Sequence, residues 1–381
     1  MRRLTEPLPA RGRITSLDAV RGVAVLGILP MNVVAFALLA SAYFNISGPG
    51  SDTWLDWSIG VFGEVFLDQK FMALFSMLFG AGIVLFAERA ASKTQHPVLL
   101  SLWRNFLLLI IGLLHGVLWE GDILAVYAVL SPVLLLVRHW PRALLLALGV
   151  GVYSLSPVTS IVGQSFVSGP SDLSGFWTED QNMTELAEFV LLGDSFARAL
   201  GAMLIGIALY RMQILQGNRS RQFFRRMAFW GLGVGIPLSA LGAAWVIIEG
   251  FSVDVALVGS IPNTIATIPI ALGYLAVIIL WNADKESTSR SMIRAVGRMA
   301  LTNYLSQAVL GVLVFSLALS SLDISRTGAA FFVALMWALQ LWWSPTWLAR
   351  FRYGPVEWLW RSCTYRAWQP LRRERNQENA T

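Results

Sequence analysis

Long apolar runs, each broken by a few polar side chains, recur along this chain. Ten of them, at 18–40, 70–89, 104–119, 122–137, 142–163, 190–210, 226–248, 258–281, 299–320 and 328–348, approach the length a helix needs to cross a bilayer. The pattern predicts an all-α fold, a polytopic transmembrane helical bundle. The run 54–69 is also apolar, but counting it as a span would carry the basic 89–104 loop to the outside. It reads instead as an interfacial or re-entrant helix with Trp54 and Trp57 at headgroup level. Were it to cross, the bundle would have eleven spans. Residues 1–350 read as a single membrane domain and 351–381 as a basic C-terminal tail. In that tail Gly354-Pro-Val-Glu-Trp-Leu-Trp360 predicts a turn into a short amphipathic helix.

Composition agrees with the pattern. Of the 381 residues 56% are hydrophobic and 14% charged, where soluble proteins carry about a quarter charged. Ten spans put both termini on one side. Placing that side in the cytoplasm leaves all of the 29 Lys and Arg at or near its edge, except Lys70, Arg198 and Arg326. The 164–194 loop, with Asp172, Glu179, Asp180, Glu185, Glu188 and Asp194 and no basic residue, falls outside. The net charge of +6 comes from residues flanking the spans, so the lipid bilayer and its headgroups are the expected partner and nucleic acid is not. With Cys363 the sole cysteine, no intrachain disulfide can form, and no Cys/His set has metal-ligand spacing. Ala40-Ser-Ala42 imitates a signal-peptide cleavage site, but the run before it is longer than an h-region, so a retained first span is expected.

Polar residues inside such runs sit at a site or at a helix–helix contact. At the cytoplasmic edge are Asp18, Arg21, Arg298 and Glu357; arginine's bidentate fork suits phosphate, while the plainer reading is flanking charge plus an i, i+3 pair. Deeper lie Asn32, roughly 16 Å beyond Arg21 at helical rise, and Asn303 and Gln307, one turn apart on one face. Pro30 is placed to kink the first span. Toward the outer edge come Asp68, Gln69 and Lys70, then the hairpin His115-Gly-Val-Leu-Trp-Glu-Gly-Asp122, then Asp194 and Arg198 at i, i+4. A His beside Glu120 and Asp122 has the make-up of a general base, or simply of a packed polar contact. Gly80-Ala-Gly82 and Gly231-Leu-Gly-Val-Gly235 read as close-packing surfaces.

Four stretches carry a resemblance. Leu17-Asp-Ala-Val-Arg-Gly-Val-Ala-Val-Leu-Gly-Ile28 with Asn32 opens the chain, and Lys70-Phe-Met-Ala-Leu-Phe-Ser-Met-Leu-Phe-Gly-Ala-Gly82 follows. The third is His115-Gly with Gly121-Asp-Ile-Leu124 and Tyr127. The last is Gly297-Arg-Met-Ala-Leu-Thr-Asn-Tyr-Leu-Ser-Gln307 with Gly354-Pro-Val-Glu-Trp-Leu-Trp-Arg361. Over residues 13–366 the chain resembles the YeiB-like family of bacterial inner-membrane proteins, a domain-of-unknown-function family numbered 418. That resemblance implies a multi-pass protein of the bacterial inner membrane. More distantly, the Asp18–Arg21–Gly22 entry is similar to the acyltransferase-3 and heparan-glucosamine acetyltransferase group. Those enzymes take an acyl group from cytosolic acyl-CoA and acylate an acceptor at the far side. Many acyltransferase-3 members keep a His eleven residues after the Arg; this chain has Asn32 there, and His115 is the only histidine expected at the outer edge.

Three readings stand side by side. In a membrane O- or N-acyltransferase, Arg21, Asp18 and Arg298 hold acyl-CoA, acetyl-CoA being the simplest donor. Asn32, Asn303 and Gln307 line the path, and His115, oriented by Asp122 or Glu120, deprotonates a small-molecule, glycan or lipid acceptor. In a transporter of a small polar metabolite the same ladder is a permeation route, with Asp68, Lys70 and Asp122 as coupling charges; no inverted repeat accompanies it. In an envelope scaffold the polar residues only hold helices together. Neither the acceptor nor the oligomeric state is written in the chain.

Overall fold

A backbone N–H or C=O left unpaired in hydrocarbon costs several kcal/mol, so apolar runs in a bilayer close their hydrogen bonds within helices. The structure, a computed structural model, describes residues 14–92, 94–119, 121–180, 182–319 and 322–373. In chain order the helices are α1 (Thr15–Ala37), α2 (Ser41–Phe44), α3 (Trp54–Phe62), α4 (Lys70–Ala91), α5 (Pro97–Gly116), α6 (Leu124–Val137), α7 (Arg142–Tyr153), α8 (Leu155–Gln164), α9 (Glu185–Arg211), α10 (Arg221–Ile248), α11 (Ile261–Asn282), α12 (Thr288–Arg298), α13 (Ala300–Val312), α14 (Arg326–Arg350) and α15 (Pro355–Tyr365). All ten predicted runs lie on helix. Nine helical stretches among the described residues are long and apolar enough to cross a membrane, and α6, also apolar, is shorter at 14 residues. This is an all-helical membrane protein.

Side-chain hydroxyls open five of the longer segments. Thr53, Thr184, Ser220, Ser287 and Ser325 each accept a backbone N–H at the first turn of α3, α9, α10, α12 and α14. Asp56 completes a capping box with Thr53 and also accepts from the Thr327 amide at 2.8 Å, fastening α3 to the start of α14.

The 54–69 run differs from its expectation in one respect. Rather than a helix apart from the next span, Trp54–Ala91 is one apolar stretch of 38 residues. α3 passes through a wide π turn (Gly63–Leu67), and the stretch breaks at Asp68–Gln69, where Gln69 is left-handed (φ 60°). Lys70 is the physical reason: its ammonium donates to the Glu64 carbonyl at 2.6 Å, a partner for an oxygen at the break.

Burial sorts the helices into inner and outer ones. α1 is the most enclosed, with 72% of its apolar window buried, while α5 has 22%. Inner helices approach through glycine, since lipid gives no hydrophobic drive between helices and packing must supply the attraction. A Cβ at Gly206 of α9 would overlap the Met77 carbonyl of α4, and one at Gly80 would overlap that of Met203. A Cβ at Gly231 of α10 would overlap the Pro269 carbonyl of α11 and one at Gly235 the Ile270 side chain, whereas Gly82 and Gly233 meet nothing within 4 Å. The two glycine strings are thus packing surfaces at Gly80, Gly231 and Gly235 only.

Gly206→Ala is expected to destabilise the detergent-solubilised protein by about 1–3 kcal/mol, because backbone must move to admit the methyl. Gly233→Ala should change it by no more than about 0.5 kcal/mol. Thermal unfolding of the two variants checks the pair, and equal losses would refute the interlock.

Candidate functional site

The site begins where α1 meets α12. A Cβ at Gly297 would overlap the Asp18 carbonyl, and one at Gly22 that of Ile293, so two turns of backbone lie in contact. This sets Arg21 and Arg298 on the rim of a cavity of about 220 Å³. Arg21 stays beside Asp18, Nη1 to Oδ1 3.6 Å. Arg104 of α5 also lines this cavity, its guanidinium between the rings of Phe86 (4.3 Å) and Trp360 (4.2 Å) in a desolvated cation–π placement.

α15 closes one side of the mouth. Glu357 accepts the amides of Leu301 (2.7 Å) and Thr302 (3.0 Å) and the Thr302 hydroxyl, capping α13 from 55 residues away in sequence. Burial pushes the Glu357 carboxyl above the ordinary carboxylate range, and these hydrogen bonds only partly offset it.

Below the rim the walls are apolar, chiefly Phe75, Leu78, Phe79 and Ile83 of α4 with Leu108 and Leu301. Gly82 opens onto the same space. The buried Ser101 hydroxyl also lines it and has no hydrogen-bond partner among the described residues. At the inner end stand Leu124 and Tyr304. The Tyr304 hydroxyl donates to Asp122 Oδ1 at 3.2 Å, and the same oxygen is 2.9 Å from His115 Nδ1. Asp122 Oδ2 accepts the amides of Leu124 (3.1 Å) and Ala125 (3.3 Å), so the carboxylate caps α6 and is held in place. The side chains of His115 and Asp122 are each 3% exposed. A carboxylate on Nδ1 selects the tautomer with its proton there and leaves Nε2 as the basic nitrogen. That Nε2 is buried without a hydrogen-bond partner among the described residues.

Of the residues singled out in the sequence, Arg21, Arg298 and Glu357 line this cavity; Asp18 stands beside Arg21, and Asp122, bonded to His115, meets the cavity only through Tyr304. Glu120 lies outside the described residues. Asn32 is half-buried on α1 and does not line the cavity. Asn303 and Gln307 do not line it either: Asn303 binds the Val296 carbonyl (3.1 Å) and Ser344 (3.1 Å), and Gln307 binds Gln340 (3.0 Å) and the Val25 carbonyl (3.2 Å), tying α13 to α14 and α1. Asp68 and Lys70 belong to a separate cluster at the start of α4. Sequence reasoning passed over Tyr304, Ser101 and Trp360. Tyr304 sits inside the Gly297–Gln307 motif, but only packing reveals its bond to a residue 182 positions away.

Fold and site together define a helical membrane protein with an arginine-lined cavity whose Tyr304 is bonded to a buried His–Asp pair. The family described as "Protein of unknown function (DUF418)" matches residues 209–367. The uncharacterized protein YeiB of Escherichia coli (strain K12) is 32% identical over 393 residues, covering 94% of this chain and 98% of YeiB. The uncharacterized protein YxaH of Bacillus subtilis (strain 168) is 29% identical over 398 residues, covering 96% of this chain and 98% of YxaH. An uncharacterized 39.9 kDa protein from the amylase 3' region of Bacillus acidopullulyticus is 26% identical over 377 residues, covering 96% of this chain and 98% of that protein. The chain belongs to the DUF418 family, the YeiB-like family that its motifs imply.

Glu357→Ala strands two amides at the start of α13 and should cost about 1–3 kcal/mol in thermal unfolding. Because the folded carboxyl titrates above its unfolded value of about 4.3, its contribution is full below that pH and is lost as pH rises through the folded value. Glu357→Gln, which cannot titrate, is expected to flatten this decline. A wild-type curve no steeper than that of Glu357→Gln would contradict the assignment.

Proposed function

We propose that this protein is a membrane acyltransferase-like enzyme. It takes an acyl group from acyl-CoA, acetyl-CoA first among donors, and passes it to a hydroxyl or amine acceptor, whether a small molecule, a glycan or a lipid. One observation carries the reading: a single cavity has Arg21, Arg104 and Arg298 at its mouth and, at its inner end, Tyr304 bonded to the Asp122–His115 pair. The arrangement fits the donor's chemistry. Arginine forks suit its phosphates, apolar walls suit the methylenes of its arm, and the Ser101 hydroxyl, without a partner among the described residues, offers that arm a hydrogen bond.

The distribution of Lys and Arg supports a cytoplasmic mouth with both termini on that side, and the bacterial relatives support the inner membrane. At roughly 1.5 Å per residue the 14-residue α6 covers about 21 Å of a hydrocarbon core of about 30 Å. A spanning α6 therefore keeps Asp122 and His115 at membrane depth, sheltered from water. In the transfer, the acceptor's proton passes to His115 Nε2 as its oxygen or nitrogen attacks the thioester carbonyl. The carbon–sulfur bond then breaks, and the sulfur leaves as the thiol after taking a proton back. Asp122 holds the ring and stabilises its charged form. The packing roles of Asn303 and Gln307 leave oxyanion stabilisation to the hydroxyl of Ser101. The open cavity between the arginines and Tyr304 favours this reading over a scaffold, which has no use for it.

Calorimetry with the purified protein tests the donor site. Acetyl-CoA should bind, and Arg21→Ala and Arg298→Ala should each weaken it about tenfold, the loss of one charge-assisted contact. His115→Ala should retain binding while transfer or thioester hydrolysis falls by roughly 10²–10⁴. Absence of both binding and hydrolysis, with His115→Ala fully active in cells, ends the proposal.

A further inference from the structure

At the N-terminal end of α4, away from the arginine rim, a second polar cluster is buried. Lys70 has no exposed surface, and its ammonium donates to the Glu64 carbonyl (2.6 Å), to Ser239 Oγ (3.3 Å) and to Asn263 Oδ1. None of these acceptors is a carboxylate. The carboxylates lie on the other side of Asn263, whose amide nitrogen donates both to Glu64 Oε1 (2.8 Å) and to Asp68 Oδ2 (3.2 Å). Asp68 Oδ1 also accepts the Tyr43 hydroxyl at 3.0 Å. Next along α11, Thr264 accepts from Arg198 at 2.8 Å, and Arg198 pairs with Asp194 at 2.7 Å.

The charges facing this region come from every element packed on it. Glu64 and Asp68 lie at the helix break, Asp56 on α3 and Asp194 on α9; the cations are Lys70 of α4, Arg198 of α9 and Arg326 of α14. The phenols of Tyr43, Tyr153 and Tyr274 complete the set and are neutral. Four carboxylates thus meet three cations, leaving one negative charge in excess within an apolar bundle, where an uncompensated charge is expensive. Two of those carboxylates share a single amide nitrogen, and like charges at that separation resist joint ionisation. Glu64 is the one with room for a proton. It is half-buried, so exchange is open to it, and Oε2 has no hydrogen-bond partner among the described residues.

We propose that the Glu64–Asp68–Asn263–Lys70 cluster is a proton-binding site at which the two carboxylates share one exchangeable proton, held on Glu64. The bound form is neutral overall: the proton closes the charge count, Asn263 bridges both acids, and Lys70 stays an ammonium on its three neutral acceptors. Release leaves one net negative charge at the end of the helix whose middle walls the Arg21 cavity. This is independent of the acyl-transfer reading, because no residue of the cluster lines that cavity.

Infrared difference spectroscopy of the full-length protein in detergent, titrated from about pH 5 to about pH 8, tests the site. The expected result is a protonated-carboxyl C=O band, moved by deuterium oxide, with the amplitude of one proton per molecule. Glu64→Gln should remove it, and Lys70→Met, which deletes one cation, should raise the uptake from one proton to two. No band in the wild type, or a band untouched by both Glu64→Gln and Asp68→Asn, overturns the proposal. A band that appears only when choline replaces sodium at constant ionic strength also overturns it, in favour of a sodium site. The wild-type titration decides even if a variant does not fold.

Discussion

Everything about the cavity mouth rests on one close approach, Gly297 against the Asp18 carbonyl with Gly22 against that of Ile293. In hydrocarbon, helices gain little by hiding apolar side chains from lipid, so their association depends on how nearly backbones can touch. Here contact is direct because neither residue has a side chain. It fixes where α12 ends, and so where Arg298 projects and where α13 must begin. The exposed amides at that beginning are satisfied by Glu357, which thereby anchors α15 and brings Trp360 over Arg104. A rim of three arginines follows from two glycines and a cap.

The polar residues inside the bundle fall into two kinds, told apart by where they stand relative to the cavity. Asn303, Gln340 and Ser344 are fully buried and bonded mainly to one another and to backbone carbonyls. Such a network holds α13 to α14 and offers a ligand almost nothing. Ser101 and the Nε2 of His115 are buried groups without a hydrogen-bond partner among the described residues, which native structures rarely tolerate without a reason. Ser101 lines the space reached from the arginine rim, and His115 is linked to it through Asp122 and Tyr304. An open valence alone does not make a site, since Gln307 Oε1 in the α13–α14 joint is also without a partner among the described residues; its connection to the cavity does.

Much of this was legible in the chain because membrane helices announce themselves locally. Ten apolar runs became helices, and a hairpin too short to leave the bundle had to bring His115 near Asp122, seven residues on. What escaped notice depends on contacts between distant segments. Tyr304 reaches Asp122 across 182 positions, and Asn263 reaches Glu64 across 199. The amides Asn32, Asn303 and Gln307 looked alike as polar breaks in apolar runs, yet only packing separates the half-buried Asn32 from the two that tie helices together. Glu64 had a local signal, a carboxylate one helical turn before Asp68 within an apolar stretch. The π turn that lets Lys70 reach the Glu64 carbonyl has no comparable mark in the sequence.

α4 connects the two polar regions and is the element least able to shift alone. Its first residue is the buried Lys70, its middle supplies much of the cavity wall, and Gly80 locks it against α9 at Met203 while Gly206 locks α9 against it at Met77. A helix held reciprocally at two glycine contacts moves, if at all, together with its partner. α9 carries Asp194 and Arg198 on the flank of the Lys70 cluster. The helix break and a wall of the cavity that Arg21 and Arg298 open thus belong to one packed pair, α4–α9. The physical link between the clusters is a shared rigid element rather than a chain of hydrogen bonds, which is the kind of connection a water-free interior can sustain.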